Sequence, residues 1–199
     1  GVPFLLHDAT LERTTNGRDT GGDLPLGTLA QLDAGSWHSR AYAGEAVPTL
    51  EALARFCIAN GYFLNIEIKP TPGQEETTGR VVGETAARLW QGQAVPPLFS
   101  SFKPDALAGA QATAAHIPRA LLLDTLWDGC LDTARRLGCV AIVCNHALWD
   151  AALVAQVKGM GMRTLSYTVN DDWAAQRLIA LGTDGIITDR VDLFSPATP

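Results

Sequence analysis

The stretch Arg163-Thr164-Leu165-Ser166-Tyr167-Thr168-Val169-Asn170-Asp171-Asp172-Trp173-Ala174-Ala175-Gln176-Arg177-Leu178-Ile179-Ala180-Leu181-Gly182-Thr183-Asp184-Gly185-Ile186-Ile187-Thr188 holds one complete structural period of this chain. Residues 163–168 read as a strand. Asn170 reads as a helix cap, 171–181 as the helix and Gly182 as its stop, and 185–188 as the next strand. The same alternation runs back toward the N-terminus. Strands are expected at 64–68, 98–102, 119–123, 140–144, 163–168 and 185–188. The last five begin at 98, 119, 140, 163 and 185, so 21, 21, 23 and 22 residues apart. Helices are expected at 76–90, 104–115, 130–137, 151–158 and 171–181. Before them, Thr49 caps a helix in which Leu50, Leu53, Ala54 and Cys57 follow helical spacing, with Gly61 as the stop.

Strands that are nearly continuous in apolar residues and alternate with helices make a parallel sheet covered by helices. Periodicity alone does not separate a barrel from an open sheet. No Gly-rich phosphate fingerprint follows any strand, which counts against a dinucleotide-binding open sheet. Polar residues recur at the C-terminal end of every strand: Glu67 and Lys69, Ser100 and Ser101, Asp124, Asn145 and His146, Tyr167 and Asn170, Thr188 and Asp189. In an eight-stranded barrel all these ends meet at one mouth, whereas an open sheet needs such chemistry only at its switch point. The expected fold is therefore an α/β, TIM-type (β/α) barrel forming one domain over 1–199, with a loop-rich insertion at about 15–47. Trp37, within that insertion, reads as a hydrophobic anchor.

The chain has 199 residues, of which 47% are hydrophobic and 18% charged, and a net charge of −6. No Lys or Arg run is present, so nucleic acid is not the expected partner. No apolar segment reaches the roughly 20 residues needed to span a bilayer. Cys57, Cys130, Cys139 and Cys144 form no CxxC pair, and reduced core thiols in a cytoplasmic protein are expected.

Near the N-terminus, Pro3 to Leu6 form a short apolar run, read as a buried strand, and His7-Asp8 follow where it emerges. The residues themselves allow either a surface histidine or a catalytic one. The run Gly1-Val2-Pro3, His7-Asp8, Thr10-Leu11, Arg13-Thr14-Thr15-Asn16-Gly17 resembles a signature block of the glycerophosphodiester phosphodiesterase family. Three further blocks resemble that family in the same order. They are Leu32 to Trp37 with Val47 to Glu51, then Asn65-Ile66-Glu67-Ile68-Lys69, and Asp184 to Arg190. The family's first block, a His-Arg-Gly followed by a Glu-x-Asp, has no counterpart here. It is expected upstream of Gly1, with the first strand–helix repeat and part of the second strand. That matches the count of six strands against eight, and a chain about 50 residues below the roughly 250 of a typical barrel.

The resemblance implies a metal-dependent hydrolysis of a small glycerophosphodiester to sn-glycerol 3-phosphate and an alcohol. It makes His7 one of two catalytic histidines, here the general acid, and places Lys69 opposite the phosphate. Glu67 would be one ligand of Mg²⁺ or Ca²⁺, hard cations that suit carboxylates. Without the family's other two carboxylates these residues would bind the ion poorly, and the 199 residues alone would be inactive. Ser101, Phe102 and Tyr167 would contact substrate, Tyr167 standing where many members carry Trp. Read from the strand alone, Glu67 and Lys69 lie two apart on one face, the barrel interior, where the alternative to a site is a buried structural ion pair. A hydrogen-bonded structural role is expected for His146. Two alternatives are a non-catalytic barrel that binds a phosphodiester or a protein, and a relative acting on lysophospholipids, for which only Trp37, Phe102 and Tyr167 offer an apolar rim.

Overall fold

The computed structural model of the protein describes residues 1–194. All six expected strands form: β1 (Asn65–Glu67), β2 (Leu98–Ser101), β3 (Arg119–Leu123), β4 (Ala141–Asn145), β5 (Arg163–Tyr167) and β6 (Gly185–Ile186). Helices α1 (Leu26–Leu29) and α2 (Leu50–Ala59) precede β1. Helices α3 (Glu75–Leu89), α4 (Pro104–Thr113), α5 (Cys130–Arg136), α6 (Ala151–Gly159) and α7 (Asp172–Leu181) separate the strands that follow. In the sheet the strands are ordered β1-β2-β3-β4-β5-β6, each beside its predecessor. A doubly wound sheet reverses its strand order at a switch point; this order does not reverse. The fold is thus an α/β, TIM-type barrel arrangement carrying six strands among the described residues, where a complete barrel has eight.

The chain divides into two compact units, one of Gly1–Phe99 with Asp105–Ile117, the other of Ser100–Pro104 with the residues from Pro118 on. In the second unit β3, β4, β5 and β6 pair in parallel, with Ala120 opposite Ala141, Ala141 opposite Arg163 and Leu165 opposite Gly185. Every residue of β3 is buried, as are Ala141 to Cys144 of β4. That is why these strands read as unbroken apolar runs: both of their faces are covered. Val157 of α6 and Leu178 of α7 are fully buried, and each such side chain contributes about 1.5–3 kcal/mol through removal from water. Asp150 caps α6 by accepting from the Leu153 N–H at 2.7 Å. The cap of α7 is Asp171, which accepts from Ala174 N–H at 2.8 Å, and not Asn170. Gly182 does end α7, in the left-handed conformation at φ 75° that glycine adopts without penalty.

All four cysteines are buried and unpaired. Burial pushes the Cys139 thiol up to about 11 and the Cys144 thiol up to about 12, so neither supplies a thiolate near neutrality.

In the first unit, Thr49 caps α2 as expected, its hydroxyl accepting from Ala52 N–H at 3.2 Å. Helices α3 and α4 lie close enough that small residues are obligatory: a Cβ on Gly79 would stand 1.9 Å from the carbonyl oxygen of Ala106. Pro3 to Leu6, expected as a buried strand, make only an isolated antiparallel bridge between Phe4 and Thr49. The run is held by Leu5 N–H to the Pro48 carbonyl at 2.8 Å and Leu50 N–H to the Pro3 carbonyl at 2.9 Å. An apolar run of four has no periodicity to tell a strand from a strap crossing a helix start. The loop-rich region carries small structure of its own, α1 and 3₁₀ turns at Gly21–Asp23 and Arg40–Tyr42. Its anchors are Leu11, Leu29 and Val47, all buried, whereas Trp37, expected to be an anchor, is 53% exposed. The indole N–H of Trp37 instead donates to the Ala34 carbonyl at 2.9 Å.

The Asp33 carboxylate organises the tip of this region. It accepts from the N–H groups of Gly35, Ser36 and Gly44 at 2.9, 2.8 and 3.0 Å and from the Ser36 hydroxyl at 2.6 Å. These bonds, led by the Ser36 hydroxyl, hold the carboxyl well below the usual carboxylate range. A depressed folded-state pKa contributes stability above the unfolded value of about 3.9 and loses it as pH falls toward the folded value. Asp33→Asn, which presents a donor where two acceptors are needed, is therefore expected to lower the thermal midpoint at pH 7. It should also reduce the further loss of stability on going from about pH 5 to pH 2, an interval set by those two pKa values. Melting curves at the two ends of that range test this, and an unchanged pH slope in the variant would refute it.

Candidate active site

His7 leaves the strap formed by Pro3 to Leu6 and is 71% exposed at its side chain. Its Nδ1 lies 2.7 Å from Asp8 Oδ1. Arg13 donates to the same carboxylate twice, from Nε to Oδ2 at 2.5 Å and from Nη2 to Oδ1 at 2.9 Å. Arg13 first, and His7 second, hold the Asp8 carboxyl well below its ordinary range, so it is an anion at neutral pH. An anionic acceptor at Nδ1 requires that nitrogen to carry a proton, which leaves Nε2 as the nitrogen that gains or gives one. The sequence places Arg13 in the same block as His7 and Asp8, but nothing in it pairs the guanidinium with the carboxylate. Five residues separate Arg13 from Asp8 across a turn, a spacing with no helical or strand period.

Glu67 and Lys69 share a face of the chain at β1, as their spacing requires, with Lys69 Nζ 3.6 Å from Glu67 Oε1. They are not buried: each side chain keeps about a third of its surface exposed, at 34% and 33%. Ile66 and Ile68, pointing the other way, are the buried pair. The expectation of a buried ion pair is corrected accordingly: among the described residues both charges reach solvent. Among the described residues no hydrogen bond or ion pair links this pair to the His7 group. Nor do three or more His, Cys, Asp or Glu side chains come together in a way that would hold a metal. Glu67 is a single carboxylate already facing an ammonium, which does not make a divalent site by itself.

In the second unit Phe102 and Tyr167 meet edge to face, with ring centroids 5.7 Å apart at 89°. The Tyr167 hydroxyl donates to the Leu123 carbonyl at 3.0 Å, which pins the ring. Ser101 is buried, and its Oγ accepts from Lys103 N–H at 3.1 Å, which closes the turn after β2. Asn170, displaced from its expected capping role, joins two loops instead. Its Oδ1 accepts from Asp189 N–H at 3.0 Å and Thr188 Oγ at 3.2 Å, while its Nδ2 donates to Asp189 Oδ2 at 3.0 Å. His146 departs from expectation too. Its Nδ1 is buried with no hydrogen-bond partner among the described residues, and the main-chain carbonyl of His146 accepts from Arg177.

Residues 1–193 match the model of the glycerophosphoryl diester phosphodiesterase family. The chain belongs to that family. Among its relatives, YhdW of Bacillus subtilis strain 168 is 31% identical over 198 residues, spanning 96% of this chain and 78% of its own. A second Bacillus subtilis protein, named glycerophosphodiester phosphodiesterase, is 29% identical over 98% of this chain and 71% of its own. Among solved structures, an Oleispira antarctica phosphodiesterase in complex with the product sn-glycerol-3-phosphate superposes with a TM-score of 0.85 at 32% identity, covering 94% of this chain and 76% of that one. The family resemblance drawn from the four ordered sequence blocks is thereby established, as is the barrel type of the fold. Among the described residues no helix is long and apolar enough to cross a membrane.

Proposed function

We propose that the chain provides catalytic machinery of a phosphodiesterase that hydrolyses glycerophosphodiesters to sn-glycerol 3-phosphate and an alcohol. The observation that carries this reading is the His7 imidazole, exposed and tethered through Nδ1 to an Asp8 that Arg13 keeps ionised. Family membership and the similarity to a phosphodiesterase holding sn-glycerol-3-phosphate support the substrate class. Hydrolysis replaces the phosphorus bond to the alcohol with one to an incoming oxygen, and the departing alkoxide needs a proton. His7, protonated at Nε2, is the donor in this reading. Lys69 offsets charge gathering on the non-bridging oxygens. Phe102 with Tyr167 gives the glycerol carbons an apolar surface, and Ser101, assigned to the same substrate group, is buried and acts by ordering the turn that carries Phe102.

Glu67 is assigned as one ligand of Mg²⁺ or Ca²⁺, an ion that would neutralise phosphate charge when bound. The described residues do not complete such a site, and no step above runs through it. In the full-length protein, EDTA is expected to stop release of sn-glycerol 3-phosphate from glycerophosphocholine, and added Mg²⁺ or Ca²⁺ to restore it. A rate unchanged by chelation would leave Glu67 only its pairing with Lys69. Release of no sn-glycerol 3-phosphate from any glycerophosphodiester, metal supplied, would refute the substrate assignment itself. A role in glycerol and lipid metabolism and a cytoplasmic location belong to the same reading, the latter supported by the four reduced thiols.

A further inference from the structure

We infer that Asp8 and Arg13 act as positioning residues, fixing the tautomer and orientation of the His7 imidazole. The inference rests on His7 being the proton donor proposed above. Its ground is how little else holds that ring. Among the described residues the His7 side chain is 71% exposed, and the hydrogen bond it makes is to Asp8. A histidine on a single tether keeps one tautomer only while the acceptor stays ionised and in place. Arg13 does both, because its two-point grip through Nε and Nη2 fixes the plane of the carboxylate as well as its charge.

The backbone that carries Arg13 is itself secured. Leu11 is fully buried beneath it. Leu11 N–H donates to the Asp19 carbonyl at 3.1 Å, and the Thr15 hydroxyl donates back to the Leu11 carbonyl at 2.8 Å. Glu12, the other acid of this turn, is occupied in accepting from Asp19 N–H at 2.9 Å. Leu11 thus sinks while Arg13, two residues on, stands out toward Asp8. The run Leu11-Glu12-Arg13-Thr14-Thr15 is an anchored arm that delivers one guanidinium to one carboxylate.

Nitrogen-15 NMR of the full-length protein, with His7 assigned by its absence in His7→Ala, tests the inference directly. The neutral ring is expected as a single tautomer protonated at Nδ1, and Asp8→Ala should convert it to a mixture. Arg13→Gln should do so partly, and Arg13→Lys, which keeps the charge but not the fork, less than Arg13→Gln. In hydrolysis of glycerophosphocholine, Asp8→Ala should lower kcat by at least about 10–100-fold, the loss found when the partner orienting a metal-bound histidine is removed, with KM little changed. Thermal midpoints should stay near wild type because Asp8 and Arg13 lie at the surface. A mixed tautomer in the wild type, or one tautomer surviving in Asp8→Ala, would overturn the positioning role whatever the rates. Unimpaired hydrolysis by His7→Ala would overturn the donor assignment instead, and the NMR result would still decide whether Asp8 holds the ring.

Discussion

His7→Ala is expected to slow hydrolysis of glycerophosphocholine by about 10²–10⁴-fold, the usual contribution of general acid–base catalysis. The argument follows from the leaving group. An alkoxide is a strong base, and expelling it unprotonated raises the barrier that His7 Nε2–H, as the proposed donor, would lower. A p-nitrophenyl diester expels a phenolate stable without a proton, so the same variant should lose much less on that substrate. Without the His7 ring Arg13 still grips Asp8 at two points and Lys69 still faces Glu67, so substrate affinity should change little. Measuring both substrates on both proteins, in full-length form, separates the possible roles. Equal losses would make His7 a base or a binding group, and no loss on either would remove it from the site.

The largest effect on stability is expected where α3 meets α4. A Cβ on Gly79 would lie 1.9 Å from Ala106 O, one on Gly109 2.2 Å from Glu76 O, and one on Gly83 2.3 Å from Thr113 Oγ1. Two of the three obstacles are backbone oxygens, which cannot swing aside as a side-chain tip can. Helix propensity argues the other way, favouring Ala over Gly by about 1 kcal/mol in a helix interior. Overpacking costs about 1–3 kcal/mol or more, and at these separations the steric term wins. Gly79→Ala should lower the thermal midpoint by several degrees, taking about 2–4 °C per kcal/mol for a chain of this size, and Gly79→Val further. Gly159, at the end of α6 with open space around its Cβ position, is the control, where alanine should be neutral or slightly stabilising. A Gly79→Ala midpoint that rises as the Gly159→Ala one does would show that the helices can part at no cost.

Much of this was legible in the order of residues because it is local. Alternation of apolar runs with helical spacing located six strands and the larger helices, and Thr49 and Gly182 announced the helix ends they occupy. The misses lie where the deciding partner is remote in sequence. Asn170 and Asp171 are both good caps, and which one serves depends on Thr188 and Asp189, which claim the Asn170 side chain. Trp37 looked like an anchor by size, yet Leu11, Leu29 and Val47 fill that core. Glu67 and Lys69 were rightly placed on one face, since strand period needs no tertiary knowledge, but their exposure depends on what covers that face. Arg13 stands in the opening block, but its pairing with Asp8 carried no signal, because the two meet around a turn.

The sequential strand order also bears on how the chain is made. Across the ladders β3–β4, β4–β5 and β5–β6 the paired residues are Ala120 with Ala141, Ala141 with Arg163, and Leu165 with Gly185. Each new strand therefore closes onto one synthesised only about twenty residues earlier. Closing so short a segment carries a modest entropy cost, and at about 5–20 residues per second on the ribosome its partner has emerged only seconds before. Growth from the N-terminal side, strand upon finished strand, leaves the sheet with one edge that stays put and one that advances, always the newest strand.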